Sequence, residues 1–174
     1  HNTGKFRSLT YKDMPFVLMP NLWKKLNKGS HKGQQNRERA HGDGIFVDYE
    51  SPEAFEEVFW RIFCGKEYIF KSFLKIHSVN DEVLLNFKHF INHVLLSAEF
   101  SEQNRYLSKN NNNILRLNSI SITFPNSHII IPFRDPLQHA ISLFNQHQRF
   151  SINQNKDKFS LQYMNWLGHF EFGL

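Results

Sequence analysis

The sequence predicts an α/β domain in which a short parallel sheet is flanked by helices, and three observations carry that expectation. The run His128-Ile129-Ile130-Ile131-Pro132-Phe133 is almost continuously apolar over the length of a strand, the pattern of a strand covered on both faces in a parallel sheet. It passes directly into Asp135-Pro136, a strong helix start, because the carboxylate caps free N–H groups and proline gives up an N–H that has no partner there. A second unit upstream repeats the arrangement: Arg105-Tyr106-Leu107-Ser108-Lys109 has strand character, and Asn110 to Asn113 leads into the apolar helix Ile114-Leu115-Arg116-Leu117. Residues 104–150 therefore read as two strand-to-helix units, and helices elsewhere alternate with only a few strands, as in an α/β sandwich.

In chain order, residues 16–26 read as a short helix or irregular apolar segment and 27–44 as a long polar loop rich in Gly, Lys and Asn. Ser51-Pro52-Glu53 supplies a cap, a first-turn proline and an acidic first turn for a helix whose buried stripe is Phe55, Val58, Phe59 and Ile62. Residues 65–80 read ambiguously. Asp81 is the expected cap of the next helix, with Val83, Leu84, Phe87, Phe90, Ile91, Val94 and Leu95 along one face. From Pro136 to about Phe150, Leu137, Ala140, Ile141 and Phe144 recur at helical spacing, leaving Gln138, Ser142, Asn145 and Arg149 on another side.

Arg134 stands where the second strand should end, and ligands of open α/β sheets bind in the crevice at strand carboxyl ends. Its planar fork suits a phosphate through two charge-assisted hydrogen bonds. Lys109 and an amide cluster occupy the corresponding end of the first strand. The residues alone leave open that Arg134 is a surface arginine on a good turn and that the asparagines serve as helix caps.

Lys109 with the asparagine-rich helix start, followed by FPNSHIIIPFRDPLQHAIS, resembles the sulfotransferases that use 3′-phosphoadenosine-5′-phosphosulfate (PAPS). The resemblance implies an incomplete three-layer sandwich of the P-loop-like sulfotransferase type, forming one partial domain over residues 1–174. It also implies PAPS as donor and 3′-phosphoadenosine 5′-phosphate (PAP) as product. An arginine and, eight positions on, a serine hold the donor's 3′-phosphate in that family, and Arg134 and Ser142 match the spacing. Lys109 matches a lysine lying near the phosphosulfate and the acceptor. The family's glycine-rich loop of the type P-R-S/A-G-T-T, which holds the 5′-phosphosulfate at a helix N-terminus, has no match here. Gly29-Ser30 and Lys32-Gly33 follow no apolar strand. The opening HNTGKFRSLTYKDMPFVLMPNLW resembles the segment after that loop, which reads as an internal portion of a longer enzyme or a natural truncation.

Sulfuryl transfer needs a group that takes the acceptor's proton. His41, flanked by Asp43 in Glu38-Arg39-Ala40-His41-Gly42-Asp43-Gly44, is one candidate base and Glu38 a rival; a plain polar turn is the alternative for the whole segment. His89 and His93 lie four apart on a helix face without the Glu of an HExxH motif, so no metal is expected. Two functions remain open. One is transfer of a sulfuryl group to a hydroxyl or amine of a small-molecule or carbohydrate acceptor; the other is a non-catalytic nucleotide-binding or interaction domain derived from such an enzyme.

In a chain of 174 residues, 40% hydrophobic with 18 phenylalanines, there is enough apolar material for one domain core. An incomplete sheet would leave edges and phenylalanines that favour self-association. The net charge of +5 suits anionic ligands without choosing among them; no nucleic-acid partner is expected. Cys64 is the sole cysteine, which excludes an intrachain disulfide and favours a reducing, cytoplasmic setting. No run of about 18 apolar residues is present, so no membrane partner is expected.

Overall fold

The computed structural model describes residues 4–27, 37–38, 44–98, 102, 104–170 and 173. Helices dominate, joined by two small sheets. β1 (Phe6–Arg7) pairs in parallel with β4 (Arg105–Tyr106), Phe6 opposite Arg105 and Arg7 opposite Tyr106. β2 (Arg37–Glu38) and β3 (Phe46–Val47) form an antiparallel pair. The helices are α1 (Pro20–Leu26), α2 (Glu57–Tyr68), α3 (Asp81–Leu96), α4 (Leu117–Thr123), α5 (Pro136–Lys156) and α6 (Lys158–Leu167). The mixed α/β expectation with a short parallel sheet holds: among the described residues that sheet has two strands, and the fold around it is mostly helical.

The core forms where α2 and α3 meet. Their stripes bring Phe59 over Phe90 at 5.2 Å and Trp60 against Phe87 at 4.2 Å between ring centres. Leu9, Val17, Cys64, Tyr68 and Val94 close around them. α3 follows its sequence stripe closely, although Asn80 rather than Asp81 caps it: the Asn80 side chain accepts from Val83 N at 2.9 Å. α2 starts later than Ser51-Pro52-Glu53 suggested. Pro52 bridges to Thr10 and Glu53 N donates to Leu9 O at 3.1 Å, so this stretch is tied to the β1 exit and the helix begins only at Glu57.

The largest departure is at residues 128–133. They join no ladder and are exposed, with Ile130 at 84% and Phe133 at 90%. An apolar, β-branched run favours a strand only when a neighbour supplies its hydrogen bonds, and none pairs with it among the described residues. The first unit is likewise shorter than expected, since only Arg105 and Tyr106 enter the ladder and a 3-10 helix (Asn111–Arg116) precedes α4. α5 starts as expected at Asp135-Pro136 but runs on to Lys156. It packs on α6, which packs on α2, where the Arg61 guanidinium lies 5.6 Å from the Trp166 ring. The expected apolar stripe at its start is not covered: Leu137, Ile141 and Phe144 are exposed.

Candidate nucleotide-phosphate site

Two groups of residues carry the candidate chemistry. The first is the start of α5. Asp135 Oδ1 accepts from Gln138 N at 2.9 Å, which fixes the first turn, and Pro136 occupies the first helical position. Arg134 precedes this cap, exposed and without a side-chain hydrogen bond or ion pair among the described residues. Ser142 lies six residues into the helix from Pro136, about 9 Å along its axis, and is half-buried. A free guanidinium at the positive end of a 21-residue helix is suited to a phosphate.

The second group is built on a buried network that the sequence reading missed. Glu56 and Glu57 sit at the start of α2, 2% and 1% exposed. Arg116 grips Glu57 with both terminal nitrogens, at 3.2 and 3.1 Å, and its guanidinium lies 4.7 Å from both the Trp60 and Tyr68 rings. Tyr68 donates to Glu57 at 2.5 Å; Tyr106 donates to the neighbouring Glu56 at 2.8 Å. Burial, then the adjacent carboxylate, pushes both phenols up, so they remain protonated donors. Into these carboxylates reach Asn110, donating to Glu57 at 2.7 Å, and Asn113, donating to Glu56 at 2.7 Å. The turn after β4 is thereby fixed to α2, and Lys109 extends from it to Glu53 at 2.8 Å. Capping accounts for part of the asparagine cluster: Asn110 accepts from Asn112 N at 3.0 Å. The signal available in sequence was two adjacent glutamates within the apolar stretch Phe55 to Trp60, and an arginine between Leu115 and Leu117.

The hydrogen-bond partner that Glu38 has among the described residues is Gly44, and Lys109 pairs with Glu53. Glu38 lies in β2, exposed, and its carboxylate accepts from Gly44 N at 2.8 Å across the hairpin. His41 lies outside the described residues. The shallow 210 Å³ cavity beside α1, lined by residues 18–22 and His93, contains none of these groups. No group of three potential metal ligands occurs among the described residues.

A family model described as "Sulfotransferase family" matches residues 9–171. The chain belongs to the sulfotransferase family. No curated protein and no solved structure matches it. Members of this family typically use PAPS; in this chain Arg134 stands free at a helix start and Lys109 is held on its turn by a carboxylate. Among the described residues of the chain, no helix is long and apolar enough to cross a membrane.

Proposed function

We propose that the protein transfers a sulfuryl group from PAPS to a hydroxyl or amine of a small-molecule or carbohydrate acceptor. The observation that carries this reading is the unpartnered Arg134 guanidinium at the capped start of α5, in a chain of the sulfotransferase family. Arg134 and Ser142 would hold the donor's 3′-phosphate, the arginine by paired N–H donors and the serine by its hydroxyl. Lys109 would meet negative charge at the 5′ end, where fixed cations stabilise the transition state. The donor supplies the S–O bond that breaks as PAP departs with its electron pair and the acceptor bonds to sulfur. His41 or Glu38 would take the acceptor's proton.

The second reading is a nucleotide-binding domain without turnover. Calorimetry separates the possibilities at the level of the site. PAP is expected to bind more tightly than adenosine 5′-phosphate, and Arg134→Ala to abolish the preference; equal binding of the two nucleotides by the wild type would refute the 3′-phosphate assignment. If PAP binds, release of PAP from PAPS in the presence of an acceptor mixture distinguishes the enzyme from the binding domain.

A further inference from the structure

Lys109 is held by a carboxylate that is itself held. Glu53 Oε1 accepts both from Lys109 Nζ at 2.8 Å and from Ala54 N at 2.9 Å, and Glu53 N donates to Leu9 O at 3.1 Å, so backbone bonds fix the side chain beside β1. On the other side, the turn carrying Lys109 cannot easily drift. Asn110 and Asn113 are bonded to Glu57 and Glu56, Asn113 also donates to Ser108 Oγ at 3.1 Å, and Leu107 O accepts from Ser8 Oγ at 2.8 Å. Both members of the pair are nevertheless open to solvent, with side chains 49% exposed for Lys109 and 29% for Glu53. An exposed pair of this kind is weak enough for an incoming dianion to replace.

We propose that Glu53 is the resident counter-ion of Lys109, aligning the ammonium in the ligand-free protein and being displaced when the 5′-phosphate end of the nucleotide arrives. The inference rests on the sulfate-donor reading and deepens it. Glu53 acts as a positioning residue: it spares the ammonium a search among rotamers and sets a threshold that weakly charged ligands do not cross. Its removal should therefore tighten binding of a ligand carrying the 5′-phosphate and leave a ligand lacking it unaffected.

The test is calorimetry on the 174-residue chain with PAP and with adenosine 3′-phosphate, which lacks the 5′ group. Glu53→Gln is expected to tighten PAP about two- to fivefold, the range of an exposed ion pair, without changing adenosine 3′-phosphate. In a Lys109→Ala background the same substitution should have no effect on PAP. Equal tightening of both probes, or tightening that persists without Lys109, would mean a general charge effect and overturn the proposal; so would unchanged PAP affinity. Should Glu53→Gln not fold, Glu53→Asp retains the charge but is too short to hold the contact, and it must also tighten PAP. If the wild type binds neither nucleotide, the donor reading falls and this inference with it. Wild-type PAP binding with a silent Glu53 removes the inference alone.

Discussion

Replacing Arg116 by methionine should be among the most damaging substitutions available in this chain. The arginine side chain is fully buried, its Glu57 partner 1% exposed, and the two share hydrogen bonds of 3.1 and 3.2 Å between the Trp60 and Tyr68 rings. Methionine fills much of the volume but leaves the Glu57 charge in the core with Tyr68 and Asn110 as its remaining donors. Breaking a buried pair by removing one member costs ~3–5 kcal/mol, a large part of the 5–15 kcal/mol that ordinarily holds a domain together. At a urea m-value of about 2 kcal/mol/M, the midpoint should fall by about 2 M. Equilibrium unfolding followed by tryptophan fluorescence reads this directly. The decisive comparison is the double variant Arg116→Met/Glu57→Gln, which removes the stranded charge yet keeps an acceptor for Tyr68; it should regain ~1 kcal/mol or more. A double variant no more stable than the single, or a single variant costing under ~1 kcal/mol, would refute the assignment of this pair as the electrostatic centre of the core.

Two further outcomes follow from one buried and one half-buried titratable group. Burial, with the Glu67 charge adding to it and Arg116 opposing, pushes the Cys64 thiol up to about 11; folded protein at pH 8 should resist a thiol reagent and react promptly in denaturant, and rapid labelling without denaturant would contradict this. His77 stacks on Tyr68 at 4.8 Å, and burial first, then the Arg116 charge, lowers its pKa. The folded state thus prefers neutral His77: its contribution is complete above the unfolded value near 6.5 and is lost as pH falls from there through the lowered native value. Melting temperatures from pH 8 to 5 should decline more steeply for the wild type than for His77→Phe, and parallel curves would sink the assignment.

What was legible in the sequence is what local chemistry decides. Asp135-Pro136 starts α5 because capping needs only neighbouring N–H groups, and α3 forms because its stripe is long and regular. Residues 128–133 were misread for the opposite reason: strand pairing is non-local, and the same apolar run that would serve a covered strand stays out of any ladder when nothing pairs with it. β1 was not anticipated because a two-residue strand has no period to detect. The anchoring network was hidden for a related reason. Glu56, Glu57 and Arg116 are separated by about sixty positions, and only the tertiary fold shows that charges embedded in apolar stretches answer one another.

The two basic groups of the candidate site are consequently held with very different stiffness, and this bears on what each can do. Lys109 stands on a turn bonded to two buried carboxylates at the start of α2, so its position is tied to the buried core. Arg134 lies at the exposed end of α5, a helix about 31 Å long whose anchorage passes through α6 to α2. Rigid placement is worth most where charge develops during reaction, and an adaptable arm suffices where a phosphate has only to be gripped. On this division Arg134 substitutions should weaken nucleotide binding as a whole, whereas loosening the Lys109 turn, as Asn110→Ala would, should spare the 3′-phosphate grip and reduce only the contribution of the 5′ end. Comparing PAP with adenosine 3′-phosphate on the two variants separates these effects: Arg134→Ala should weaken both ligands, while Asn110→Ala should weaken PAP selectively. Equal losses on both ligands in Asn110→Ala would show that the two ends are not independently supported.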